Sequence, residues 1–287
     1  MRPNNLQTKI FLDSGDPGET REAIKLLGWL DGQTTNPTLI AKNPDVAARI
    51  ARGEKMKRSE VDAFYRTVVR EISTLIPNGS VSIEVYADRH TTSEAMLAEA
   101  REKYTWIPNA HIKYPTTAAG LTAAEHSVRE GMRVNMTLCF SQAQAAAVSA
   151  ATRGAKPGDV FVSPFIGRLD DIGKNGMELI EDIIRMYHAG DSHVAVLTAS
   201  VRSLDHFMRA IQLKSDIITA PFTILKIWAD AGLPMPGNDF HYSPIDRTPI
   251  PYQTLNLKQD WDAFDISHPL TDKGIERFSA DWNAIIT

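Results

Sequence analysis

The feature that most constrains this sequence is a rhythm. Eight short segments, most of them rich in Ile, Val, Leu or Phe, recur at Lys9–Asp13, Gly32–Thr35, Ser80–Tyr86, Ala110–Lys113, Arg133–Cys139, Val160–Ser163, His193–Ala199 and Ile217–Thr219. Near-continuous apolar runs of this length suit parallel strands buried on both faces. Amphipathic stretches lie between them, at Pro17–Leu27, Ser59–Leu75, Thr92–Lys103, Thr117–Glu130, Ser141–Arg153, Gly176–Ala189, Ser203–Leu213 and Pro221–Ala231. Pro17 and Glu19 sit in the first turn of the first helix, and Ser59 stands where an N-cap belongs. Strands alternating with helices predict a parallel α/β sheet, with the open doubly wound sheet as the competing architecture. Eight such units in 287 residues fit a closed (β/α)₈ TIM barrel, which typically needs about 250 residues.

Three segments stand outside the rhythm. Asn43–Lys57 is charged and Ala-rich and is expected to add helix after the second strand. Gly232–Ser267 carries five prolines together with Phe240, Tyr242, Tyr252, Trp261 and Phe264. The prolines predict an irregular path, and the aromatics need a surface to bury against. His268–Trp282 reads as a last helix. The expected organisation is one domain, with a barrel over residues 1–231, an extension packed on it over 232–267, and a terminal helix over 268–287.

Composition narrows the function classes. Hydrophobic residues make up 43% and charged residues 23%, enough apolar material for a sizeable core. The net charge of −4 provides no basic field for nucleic acid, although small basic pockets for anionic metabolites remain compatible. The single cysteine, Cys139, allows no internal disulfide and no CxxC metal site, and it reads as core. No HExxH, GxGxxG or GxxxxGK[ST] string occurs, so neither a metal centre nor a phosphate loop is signalled. The polar stretch Met1–Gln7 has no apolar leader character, and no apolar run approaches the roughly 20 residues that span a bilayer. A cytoplasmic protein without membrane or nucleic-acid partners is expected.

In such a barrel the chemistry gathers at the carboxyl ends of the strands. Asp13 ends the first strand, Thr35 and Asn36 the second, and Glu84 lies in the third. Lys113 ends the fourth, Asn135 and Thr137 lie in the fifth, Ser163 with Arg168 follows the sixth, and Ser200 with Arg202 follows the seventh. Taken singly, each has an ordinary explanation: a snorkelling lysine, a carboxylate cap, a surface arginine. Together they are polar groups converging on one mouth, where burial is costly unless they pair or work. Lys113 is the most suggestive. Burial disfavours a charged amine and so frees a nucleophile.

These residues stand in strings that resemble the transaldolases, especially the short-chain branch that also holds fructose-6-phosphate aldolase. The strings are KIFLD from Lys9, DGQTTNPTLI from Asp31, VSIEV from Val81, HIKYPTT from His111, NMTL from Asn135, VSPFIGRLDD from Val162, ASVR from Ala199 and HPLTDKGIERFSADW from His268. The resemblance implies a (β/α)₈ barrel and a metal-free and cofactor-free Schiff-base mechanism in the pentose phosphate pathway. It implies Lys113 as nucleophile, Asp13 as general acid/base, and Glu84 with Thr137 positioning a water. It also implies Asn36, Thr35, Asn135, Ser163 and Phe165 as substrate contacts, and Arg168, Ser200 and Arg202 as the phosphate site. Phe165 and Glu84 match transferases, whereas the aldolase relatives carry Tyr and Gln there. The implied substrates are sugar phosphates, and the implied assembly is a homo-oligomer whose terminal helix can cross to a neighbouring barrel. A fructose-6-phosphate-type aldolase and a non-catalytic sugar-phosphate-binding barrel are the alternatives. Two departures bear on the acceptor pocket: Tyr114, where an aliphatic residue is usual, and the Gly232–Ser267 segment, which the short members lack.

Overall fold

The structure is a computed structural model that describes residues 2–190 and 192–287. Its strands are β1 (Lys9–Asp13), β2 (Gly32–Thr34), β3 (Ser80–Glu84), β4 (Ala110–Pro115), β5 (Val134–Cys139), β6 (Val160–Pro164), β7 (Ala195–Thr198) and β8 (Ile217–Ala220). All are parallel and follow one another around a ring in chain order. β1 pairs with β8 from Lys9↔Ile217 to Leu12↔Ala220, which closes the barrel and excludes the open sheet. β2, β4, β5, β6 and β8 are buried at every position, as expected of strands that face side chains inside and helices outside.

The connecting helices are α1 (Pro17–Leu27), α2 (Pro37–Ala41), α3 (Pro44–Ala51), α4 (Arg58–Leu75), α5 (Ser93–Tyr104), α6 (Ala118–Arg129), α7 (Gln142–Ala151), α8 (Ile166–Asp170), α9 (Gly176–Gly190), α10 (Leu204–Gln212) and α11 (Phe222–Asp230). Asp16, Thr92, Thr117, Ser141 and Ser203 cap five of them by accepting from amides two or three residues on. Ser59 is not a cap. α4 begins at Arg58, and the Glu60 carboxylate reaches back to the Lys57 amide at 2.7 Å. The helix expected over Asn43–Lys57 is shorter, because α3 ends at Ala51 and Gly53 turns the chain at φ 74°. Met56 then pairs with Ile286.

Residues 232–267 form no helix or strand beyond one 3₁₀ turn at Trp261–Ala263. They run as a belt around the outer helices, against the direction in which those helices were laid down. The Phe240 carbonyl accepts from Gln212 of α10, and the Ile250 amide donates to Glu178 of α9. Gln253 exchanges two hydrogen bonds with Gln142 of α7, and Trp261 Nε1 donates to Glu125 of α6. Phe264 is buried, and the other four aromatics are partly buried.

The belt delivers the chain to α12 (Pro269–Ala284), which lies across the mouth of its own barrel. Thr271 Oγ1 donates to the Leu138 carbonyl at 2.9 Å, and Thr38 donates to Asp281. Gly274 makes the approach possible, since a Cβ there would overlap Leu138 and Arg168. Among the described residues no helix is long and apolar enough to cross a membrane.

Candidate active site

The floor of the site is set by register. Glu84 of β3 lies beside Lys113 of β4, and Lys113 beside Asn135 of β5. Lys113 is 3% exposed; its Nζ lies 3.0 Å from Glu84 Oε2 and donates to the Thr35 carbonyl at 3.1 Å. The Glu84 contact is one of opposite charges, since Oε2 has no aligned hydrogen-bond donor among the described residues. Burial raises the Glu84 carboxyl above its ordinary value, while Lys113, and behind it Lys103, oppose that rise. Asp13, at the end of β1, accepts from Thr34 Oγ1 at 2.6 Å, and Thr34 Oγ1 is in turn 2.6 Å from Thr219 Oγ1. Asp13 keeps some surface open to the cavity, yet desolvation still pushes its carboxyl upward against the pull of Thr34 and Lys113. The site therefore holds two carboxyls of raised proton affinity around one buried lysine.

Above this floor opens a cavity of about 270 Å³, bordered by Asp13, Lys113, Thr137 and Ser163 below and by arginines above. Thr137 Oγ1 is buried with no partner among the described residues. Ser163 Oγ donates to Asn135 Oδ1 at 2.6 Å, and Asn135 Nδ2 donates to Ser82 Oγ at 3.0 Å. That chain holds Asn135 beneath the cavity rather than on its wall. Asn36 borders the cavity, but its Oδ1 is used in capping α2, accepting from the Leu39 amide. Thr35 is displaced from the role expected of it. Its side chain turns away into the core, where it donates to the Ser82 carbonyl at 2.7 Å and meets the Tyr65 hydroxyl at 2.5 Å. Only its carbonyl faces Lys113.

Cations gather at the outer end. The Arg168 guanidinium lies over the rings of Phe165 and Phe278, 5.4 Å from each centroid, within cation–π range. Burial lowers its proton affinity, and the like charges of Arg277 and Arg202 lower it further. Arg202 grips Asp171 with both terminal nitrogens, one at 2.8 Å from Oδ2. Gly167 leaves room for this crossing, because a Cβ there would overlap the Ser200 carbonyl and Arg202 Nε. Ser200 itself holds a left-handed φ of 60°, and its carbonyl accepts from the Gly167 amide. A left-handed serine costs about 1–2 kcal/mol, here offset by joining the end of β7 to the Arg168 turn.

The wall also includes residues that sequence reasoning did not assign to the site, among them Lys42, Arg277 and Phe278. Arg277 and Phe278 come from α12, and nothing local in the sequence says where that helix docks. Tyr114 does not reshape the pocket. It points outward, buried, with its hydroxyl 2.7 Å from Ser127 Oγ of α6. Nor does residue 232–267 appear in the cavity wall. Among the described residues no three His, Cys, Asp or Glu side chains gather as a metal site.

The family described as transaldolase/fructose-6-phosphate aldolase matches residues 10–287, a span that takes in 232–267. A probable transaldolase of Dehalococcoides mccartyi is 36% identical over 277 residues, covering 96% of this chain and 99% of its own. Probable transaldolases of Roseiflexus castenholzii and Thermoplasma volcanium are each 34% identical, covering 96% of this chain and 97% and 96% of their own.

Proposed function

The chain belongs to the transaldolase/fructose-6-phosphate aldolase family, and from that premise we propose that it is a transaldolase moving a dihydroxyacetone unit between sugar phosphates through a Schiff base on Lys113. The observation that carries this reading is the buried Lys113 Nζ at the cavity floor, 3.0 Å from Glu84. Glu84 takes the proton that Lys113 must lose before its nitrogen attacks the ketose carbonyl carbon. The same carboxyl then protonates the carbinolamine hydroxyl, which leaves as water and yields the iminium. Thr137, with its unpartnered hydroxyl, is the neighbour that orients that water.

Asp13 takes the proton of the C4 hydroxyl. The C3–C4 pair flows into the iminium, the aldose phosphate departs, and an enamine remains on Lys113. Attack of that enamine on the aldehyde carbon of a second aldose phosphate, with Asp13 returning its proton to the new hydroxyl, forms the new bond. Hydrolysis then frees the lysine. Phe165 supports transfer over release, because its ring offers no proton to the waiting enamine. Arg168, Arg202 and Ser200 suit the phosphate, since guanidinium forks match tetrahedral oxyanions. Sedoheptulose 7-phosphate or fructose 6-phosphate is the donor in this reading, and glyceraldehyde 3-phosphate or erythrose 4-phosphate the acceptor.

Borohydride reduction in the presence of fructose 6-phosphate tests the mechanism. A three-carbon adduct on Lys113 is expected by mass spectrometry, and it should vanish in Lys113→Arg. An adduct on another lysine overturns the assignment. Steady release of free dihydroxyacetone without an acceptor, as fast as transfer with one, identifies an aldolase instead.

A further inference from the structure

A second lysine stands behind the first. Lys103 of α5 is 2% exposed, and its Nζ donates to the Glu84 carbonyl at 2.9 Å. Glu99 Oε1 lies 2.7 Å from the same nitrogen. Three rings surround it, with centroids at 4.9 Å for Tyr65, 5.4 Å for Trp106 and 5.6 Å for Trp282. A carboxylate, a carbonyl and three aromatic faces are all groups that attract a cation. A lysine seldom gives up this much exposure without such pairing.

The reason lies in the length of β2. That strand ends at Thr34, whose partner on β3 is Ser82, so the sheet on this side runs out before Glu84. In a parallel strand the amide and carbonyl of one residue point to the same neighbour. The neighbour is missing here, and two side chains replace it. The Tyr65 hydroxyl accepts from the Glu84 amide at 2.9 Å, and Lys103 donates to the Glu84 carbonyl. Tyr65 comes from α4 and Lys103 from α5, so two helices clamp the backbone of one residue, and Trp282 of α12 packs against both clamping side chains.

We infer that Lys103 is a positioning residue for Glu84, fixing the end of β3 and placing a second positive charge behind the carboxylate that faces Lys113. The inference rests on the proposed Schiff-base chemistry. The charged groups that bear on Glu84 are Lys113 from β4, Lys103 from α5, Asp13 from β1 and Arg168 from α8. Around Lys103 they are Glu99 on its own helix, Asp62 and Arg58 from α4. Tyr65 is pushed upward by burial and stays neutral.

The test uses opposite signs. Lys103→Met removes the charge, so the acid limb of the kcat–pH profile should move up, by about half a unit to one unit for one charge at close range. Its kcat should fall several-fold with KM nearly unchanged, and Lys103→Arg should restore most of both. Glu99→Gln keeps the ammonium but removes its counter-charge, so the limb should move down. Reporting the limb from Glu99→Gln also covers the case in which Lys103→Met fails to fold. Borohydride trapping on the parent separates the two levels. An adduct on Lys113 with superimposable profiles in all variants overturns the inference alone; no adduct on Lys113 removes the chemistry and the inference together.

Discussion

His111 and Lys113 lie two residues apart on β4, on the same face of the strand, and the protein treats them in opposite ways. His111 is at the amino end of the barrel. Its Nε2 donates to the Gly158 carbonyl at 3.0 Å, its Nδ1 lies 2.8 Å from Ser80 Oγ, and its ring stacks on Phe161 at 4.1 Å. Nearby, Asn109 accepts from Ser73 and donates to the carbonyls of Ile76 and Gly79. Every polar group named there is spent on structure. At the carboxyl end the accounts stay open: two carboxyls of raised proton affinity, an unpartnered Thr137 hydroxyl, and several cations converging on one cavity. A polar group buried and fully satisfied stabilises the fold; one buried and partly satisfied is held ready for something else.

The comparison breaks most readily at the open end. Asp13→Asn should keep the borohydride adduct on Lys113 and lose about 10²–10⁴-fold in turnover, the usual cost of removing a positioned acid or base. Near-parental turnover would make Asp13 as structural as His111. At the closed end the expected change is in stability. His111→Phe should leave turnover intact and destabilise the fold by about 0.5–1.5 kcal/mol at neutral pH, since the half-buried Ser80 hydroxyl and the exposed Gly158 carbonyl each lose their hydrogen bond to the ring.

That substitution also has a pH signature. Burial lowers His111 from its ordinary 6.5 to about 3, so the native state resists its protonation. Its contribution is fully present above 6.5 and is lost as pH falls toward 3, with a slope of up to about 1.4 kcal/mol per pH unit. Urea unfolding should therefore show a flatter acid-side decline in His111→Phe than in the parent; equal slopes would remove His111 as the source.

The smallest effect belongs to a third region, which joins neither end. Arg153 of the α7 flank donates to the belt carbonyls of Leu257 and Gln259 and pairs with Asp260 at 3.3 Å, with both side chains substantially exposed. Exposed pairs of this kind contribute about 0–1 kcal/mol. Arg153→Ala should speed limited proteolysis within 232–267 and leave turnover unchanged. A loss of turnover would tie the belt to the mouth.

The strands were legible because eight buried runs leave little choice of fold, and the strand-end rule then points to Asp13, Glu84 and Lys113 from the sequence. What failed was local phase. Thr35 directly follows Thr34, the last residue of β2, and side chains alternate along extended backbone, so only one of the two could face inward, and the apolar run does not say which. Tyr114 escaped the pocket for the same reason, being next to Lys113. α2 and α8 are five residues each, too short for periodicity to register, although Asn36-Pro37 carries a cap followed by an N1 proline. Arg277 and Phe278 were out of reach because their place depends on where a distant helix returns.

The position of α12 also orders events in time. A ribosome releases all eight strands, and the belt after them, before it releases Arg277, Phe278 and Trp282. The emerging chain thus possesses Lys113 and its ring of strands earlier than the wall that encloses them. A barrel that closes without its last helix would meet passing aldehydes and ketoses with an uncovered amine. Enclosure of the cavity thus follows the strands and waits for α12 to emerge.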